Sequence, residues 1–280
     1  MIPSRFAAAL LLAVLVAGAP PAQAASPAAT AVSPPPEPPA AASAFAEGKL
    51  LSMAGRFDEA GAAFDRALAL SAKGPDAAYI LIEKAQALAR SVQLGRDVAQ
   101  RNTALAGAAA SLAEARRLAP DNLDVLRAVG ALQIDLAARG DHGAIAKARE
   151  AYEAVLAREP TDAEVALTLS RIYLEDDQPA RAADVLRGLI DKVPQNRVAY
   201  GLLVEALLRA GRPADAESTL AEMLGFDPAS LEARLTLADL QLRRGDAQAA
   251  KATLRAAPQE ARADPRLQQA LARALEKQPD

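Results

Sequence analysis

The sequence predicts an all-α protein built from repeated helix hairpins, and three observations carry that prediction. Four alanines, Ala148, Ala182, Ala216 and Ala250, recur at a fixed interval of 34 residues. Pro160, Pro194 and Pro228 keep the same interval, each twelve residues past its alanine, where a residue without a backbone donor ends a helix. Finally, 51% of the chain is hydrophobic while only 3% is aromatic, so its apolar content rests on alanine more than on large side chains. Alanine has the highest helix propensity and lets two helices approach closely. A sheet would draw on valine, isoleucine and aromatic residues, which are concentrated nowhere here.

Taken in order, the first 24 residues carry a short start with Arg5, an apolar run from Phe6 to about Ala17, and Ala22-Gln23-Ala24 as a small-x-small site. This pattern predicts a signal peptide, residues 1–24, cut after Ala24. The run is shorter than the roughly 18 to 20 apolar residues that span a bilayer, and no later segment is apolar enough, so no membrane span is expected after cleavage. The expected location is periplasmic or secreted. Residues 25–43, with Pro34-Pro35-Pro36 and Pro38-Pro39, predict a disordered Pro/Ala-rich linker. From Ala44 onward the helical period dominates, and the helices pair through Gly-Arg or Gly-Asp turns, as at Gly55-Arg56 and Gly245-Asp246.

The residues around these turns repeat. The first unit offers Gly48, Gly55, Phe57, Ala60, Phe64 and Ala67, and the fifth Tyr200, Leu203, Gly211, Ala216, Leu220 and Pro228. The fourth offers Leu169, Ser170, Tyr173, Ala182, Leu186 and Pro194, with Asp177 in place of the turn glycine. The sixth offers Leu237, Ala238, Gly245, Ala250 and Leu254, and departs at Pro258, which should end its second helix early. In this succession the chain resembles the tetratricopeptide-repeat (TPR) family.

The resemblance implies a right-handed α-solenoid domain over residues 44–280, with units at about 44–76, 77–120, 121–160, 161–194, 195–228 and 229–262. A capping helix is expected over residues 265–277, with Leu267, Ala270, Leu271, Ala274 and Leu275 on one stripe. Two units are stretched, since Ala60 to Ala108 spans 48 residues and Ala108 to Ala148 spans 40. The extra residues, near 91–103 and 139–144, fall between the helices of their units, where they should lengthen a helix or bulge at one edge.

Little points to reaction chemistry. The formal charge is −3, and removing the single positive charge of Arg5 with the leader takes it to −4. No block of Lys and Arg is available for phosphate, so nucleic acid is not an expected partner. The absence of cysteine excludes disulfides, thiolate metal sites and cysteine nucleophiles. His142 is the single histidine, placed at the turn Gly140-Asp141-His142-Gly143, and one imidazole builds neither a metal site nor a proton relay. Asp176-Asp177 falls at an inter-helix turn, where capping of the following helix is the expected role. Tyr79, Tyr152, Tyr173 and Tyr200 are spread over different units and read as core. No catalytic, cofactor or metal site is expected, and the chain reads as non-enzymatic.

By resemblance to the family, function lies in the face lined by the first helix of each unit. That face would comprise Lys49, Gln86, Arg90 and Arg127 in the N-terminal half. In the C-terminal half it would comprise Leu167, Arg171, Leu174, Glu205, Leu208, Arg209, Glu232, Leu235, Asp239 and Leu242. Basic groups lead in the first set, leucines and acids in the second, a mixture suited to an amphipathic or extended peptide. Some TPR proteins clamp a terminal carboxylate between Lys and Asn. This chain has Phe45 with Lys49, Leu167 with Arg171, and Leu235 with Asp239 at those places, so that clamp is absent. The expected partners are other envelope proteins or their segments, in polysaccharide export, pilus or secretion assembly, or outer-membrane biogenesis. Alternatives are a cytochrome c maturation helper presenting apoprotein segments, or a self-assembling structural protein.

Overall fold

The computed structural model describes residues 40–70, 75–93 and 98–276. Among them the chain is all-α, with no strand: α1 (Ala40–Met53), α2 (Phe57–Leu70), α3 (Pro75–Ser91), α4 (Val98–Leu118), α5 (Leu123–Ala138), α6 (Ala144–Leu156), α7 (Ala163–Glu175), α8 (Pro179–Lys192), α9 (Arg197–Arg209), α10 (Pro213–Phe226), α11 (Leu231–Arg243), α12 (Ala247–Arg255), a 3₁₀ turn (Gln259–Ala261) and α13 (Pro265–Glu276). The expected signal peptide and most of the expected linker lie outside the described residues. Residues 40–43, assigned to that linker, are helical and open α1.

The hairpin turns share one geometry, and the sequence explains it. Gly55, Gly140, Gly211 and Gly245 take positive φ (75°, 98°, 70° and 88°) just past the ends of α1, α5, α9 and α11. After the turn residue the chain donates an N–H back into the helix it has left: Arg56 to the Leu51 carbonyl (2.9 Å), Arg212 to Leu207 (2.8 Å) and Asp246 to Gln241 (2.9 Å). This is the left-handed ending that satisfies carbonyls the helix cannot reach itself. Asp177 does the same work after α7, with φ 54° and Gln178 N–H bonded to the Tyr173 carbonyl at 2.7 Å. The expectation that Asp176-Asp177 caps the following helix is therefore corrected. Asp176 ends α7, and α8 starts from Gln178 without a side-chain cap, with Pro179 in the first turn. A short polar side chain tolerates the left-handed backbone, so aspartate substitutes for glycine there.

The opposite connections, from the second helix of one pair to the first of the next, use side-chain caps. Asn122, Asp162, Asn196 and Ser230 accept backbone N–H groups of Val125 (3.1 Å), Val165 (3.1 Å), Ala199 (3.0 Å) and Ala233 (3.3 Å). Each satisfies a donor that the first turn leaves orphaned, typically worth about 1 kcal/mol.

Two compact units make up the chain, one up to Ala151 and one from Tyr152. In the first, α1 packs on α2, α2 on α3, α3 on α4 and α4 on α5, while α1 also meets α3 and α3 meets α5. In the second, α7 through α13 pack in sequence, with α7 also on α9 and α11 also on α13. Within each unit the first helices of neighbouring pairs thus touch, α1 with α3 and α3 with α5 in the first, and α7 with α9 in the second. The seam alanines of the second helices, Ala60, Ala108, Ala148, Ala182, Ala216 and Ala250, are all 0% exposed. One turn along the same helix faces sit Phe64, Leu186, Leu220 and Leu254, all buried.

Of the inserted residues, 98–103 lengthen α4, which has 21 residues against 13 or 14 in α7 to α11, whereas 139–143 form the turn between α5 and α6. Pro258 does end the preceding helix early, leaving α12 with 9 residues. α13 packs against both α11 and α12, burying Leu267 and Ala274 and half-covering Ala270 and Leu271. Leu275, expected on the same stripe, is instead exposed.

Candidate functional site

Each first helix presents to solvent the residues its packing leaves over. In the first unit, Lys49 on α1 is not a free ligand. Its Nζ lies 2.7 Å from Glu83 Oε1 on α3, half-buried, and 5.9 Å from the centre of the Phe45 ring. Burial, reinforced by the Glu83 carboxylate, raises the Tyr79 phenol above its ordinary value beside this pair. Gln86 and Arg90 are exposed on α3, and Arg127 on α5 reaches Asp124 at 3.1 Å. The basic lead expected in this half thus reduces to Arg90 together with an already engaged Arg127.

The second unit holds the more open surface. On α7, Leu167 is half-buried and Arg171 is exposed without an ion pair among the described residues. Leu174 departs from expectation: it is 8% exposed, buried in the α7 packing, and only its backbone oxygen is used, accepting from Arg209 Nη1 at 3.2 Å. That bond places a guanidinium at the negative end of α7, a favourable position for a cation. On α9, Leu208 is 39% exposed beside the Glu205–Arg209 pair at 2.7 Å. On α11, Leu235 and Leu242 pack partly against the C-terminal cluster that includes α13, which withdraws part of the surface expected of them. Glu232 pairs with Arg266 of α13 at 2.6 Å, and Asp239 with Arg243 at 2.7 Å.

One residue of this face escaped the sequence reading. Val198 on α9 is 53% exposed. Its counterparts 34 residues away on either side are Glu164 and Glu232, so a valine among glutamates at that register was the available signal. Gly201, one helical turn further along α9, is also exposed, and a Cβ there would meet nothing within 4 Å. No packing need explains that glycine, and its effect is to keep the floor between Val198 and Leu208 low.

The resulting α7–α9 surface is an apolar strip of Leu167, Val198 and Leu208, flanked by Arg171 and by exposed ion pairs. Pairs of that kind contribute at most about 1 kcal/mol each. A binding partner can therefore break them at little cost, whereas covering the strip gains about 25 cal/mol per Å² of apolar surface. Among the described residues no group of three His, Asp or Glu converges as a metal site, and no helix is long and apolar enough to cross a membrane. His142 is exposed in its turn. Tyr152, Tyr173 and Tyr200 are core residues as expected, and Tyr79 is half-buried.

No curated protein matches the chain by sequence. Among solved structures, the fold is similar to a tetratricopeptide repeat protein from Parabacteroides merdae, 14% identical, with a TM-score of 0.53 over 86% of this chain and 94% of that one. It is similar also to MamA protein, 16% identical, with a TM-score of 0.52 over 69% of this chain and 94% of that one. The tetratricopeptide-repeat family itself matches at residues 141–207, 174–228 and 207–274. With the helix pairs, turn residues and alanine seam described above, these matches identify the chain as a member of the tetratricopeptide-repeat family.

Proposed function

We propose that this protein is a non-enzymatic scaffold of the bacterial cell envelope that docks a segment of another protein on the first-helix face of α7 and α9. The observation that carries the reading is the strip of exposed Val198 and Leu208 with half-buried Leu167 beside Arg171, a cation with no ion-pair partner among the described residues. An amphipathic segment with apolar anchors and an acidic group facing Arg171 complements it in shape and charge. The envelope assignment rests on the N-terminal pattern of Arg5, an apolar run and Ala22-Gln23-Ala24. Polysaccharide export, pilus or secretion assembly and outer-membrane biogenesis are the settings in which such a docking module fits.

The test is a triple substitution, Leu167→Glu, Arg171→Glu and Leu208→Glu, compared with wild type for binding to a partner isolated on the wild-type protein. Leu174 is left intact because it is buried and its loss would disturb folding. Removal of two apolar anchors and reversal of the cation should weaken binding by about 100-fold or more. Unchanged affinity with an unchanged circular dichroism spectrum would remove this face from the account.

Self-association is a second reading, favoured by Leu50 and Met53 on α1, which are 61% and 79% exposed. If it holds, light scattering shows an oligomer that Met53→Glu dissociates.

A further inference from the structure

A second surface, formed by α8 and α10 over α9, contains a hollow of about 210 Å³. Its floor is Ala183, Leu203 and Leu207, all buried, and its walls include Asp184, Arg187 and Asp215. This volume is below the roughly 300 Å³ at which small-molecule sites begin, and suits a single side chain.

The preceding helix pair shows what fills such a space. One 34-residue repeat earlier, Leu203 corresponds to Leu169, Leu207 to Tyr173, Arg187 to Glu153 and Asp215 to Arg181. There the Tyr173 ring occupies the position, its hydroxyl donating to the Glu153 carboxylate, with the Arg181 guanidinium stacked 4.5 Å from the ring centre. Arg181 also donates to Glu153 at 3.0 Å, closing the cluster. In the α8–α10 pair the ring is replaced by a shorter leucine and the stacking cation by an aspartate. Asp215 is paired with Arg212 at 2.7 Å, and Arg187 is held by Glu222 at 2.8 Å and Thr219 at 3.1 Å. Asp184 has no partner among the described residues and is exposed at the rim.

We infer that this hollow is a socket for a tyrosine side chain of a partner protein. The ring lies on Leu203 and Leu207, the Arg187 guanidinium stands at the wall as a cation for its face, and the phenol hydroxyl donates to the Asp184 carboxylate. The socket lies between the second helices α8 and α10 over the buried side of α9, and its lining residues are none of those assigned to the first-helix face.

The test uses the full chain with labelled leucine methyls, titrated with p-cresol and, as a control of similar size with a hydroxyl but no aromatic ring, 4-methylcyclohexanol. p-Cresol is expected to move the Leu203 and Leu207 methyl resonances saturably, and 4-methylcyclohexanol to move them far less. Asp184→Asn should weaken the p-cresol response about five- to tenfold. Leu207→Tyr restores the side chain of the earlier repeat and should abolish the Leu203 response; Ser218→Leu, at the exposed mouth, serves the same purpose should the tyrosine variant not fold. The proposal is overturned by an absent Leu203 response, by equal responses to both probes, or by responses that persist in the filled variant. The inner-face triple variant should leave the p-cresol response intact, so the two readings fail separately.

Discussion

Substituting Gly48 by alanine sets two effects of opposite sign against each other, and the structure decides between them. Alanine in a helix interior is favoured over glycine by roughly 1 kcal/mol. At Gly48, however, an added Cβ would lie 2.7 Å from Phe64 Cε1 and 2.8 Å from Cδ1. The ring has no room to retreat, being 0% exposed and packed with Phe45 at 5.8 Å between ring centres in a cluster with Ala44, Ala67 and Ile80. Overpacking of this kind costs about 1–3 kcal/mol, so Gly48→Ala should be destabilised by up to about 2 kcal/mol after the propensity gain. Gly188 on α8 provides the internal control, because a Cβ there meets nothing within 4 Å. Gly188→Ala should be stabilised by about 0.4–1 kcal/mol. The assay is urea unfolding followed by circular dichroism, comparing midpoints at constant slope. A Gly48→Ala midpoint at or above wild type, or a Gly188→Ala midpoint well below it, would refute the packing argument.

Asp177→Gly should raise stability by about 0.5–1 kcal/mol by relieving a left-handed backbone at φ 54°, whereas Gly211→Ala, at φ 70°, should lower it by about 1 kcal/mol; thermal melts of the two variants check the opposed signs. Burial, joined by the Glu164 and Asp162 carboxylates, pushes the Tyr152 phenol up to about 12, and burial with a hydrogen bond to Glu222 does the same for Tyr200. Both phenols are protonated and stabilising below the ordinary value of 10.0, so each should lose on the order of 2 kcal/mol of stability as pH rises from 10 toward 12. Absorbance of tyrosinate should then show two phenols ionising only as the helices unfold. The Arg187 guanidinium, with Tyr200, holds Glu222 below its ordinary 4.5, so its contribution is present above that value and fades as pH falls through its lowered value. The stability difference between wild type and Glu222→Gln should accordingly shrink between pH 6 and pH 3.

The fold was legible because its determinants are local and recur. Ala182, Ala216 and Ala250 are buried for the same reason in each pair, and Pro258 shortened α12 as a proline must. Asp177 shows the limit of local reading: both capping and the left-handed turn suit aspartate, and only the hairpin geometry distinguishes them. The candidate face was legible in register but not in accessibility. Leu174 is buried, and Leu235 and Leu242 are partly covered, because neighbours distant in sequence complete their surroundings. Lys49 was visible as a cation, but its pairing with Glu83, one helix pair away, belongs to tertiary structure. The hollow over Leu207 has no signature in the sequence alone, because it depends on how far a leucine falls short of the ring that Tyr173 places at the equivalent position.

The central claim, that the first-helix face of α7 and α9 is where a partner docks, is tested most directly by site-specific photo-crosslinking in intact cells. A photoreactive residue is placed at Arg171 or Leu208 on that face, and at Gln248 on α12, which lines neither that face nor the hollow, as the exposed control. The account predicts the same discrete adduct from positions 171 and 208 and its absence from 248. An adduct that forms from 248 alone, or equally from all three, would contradict it.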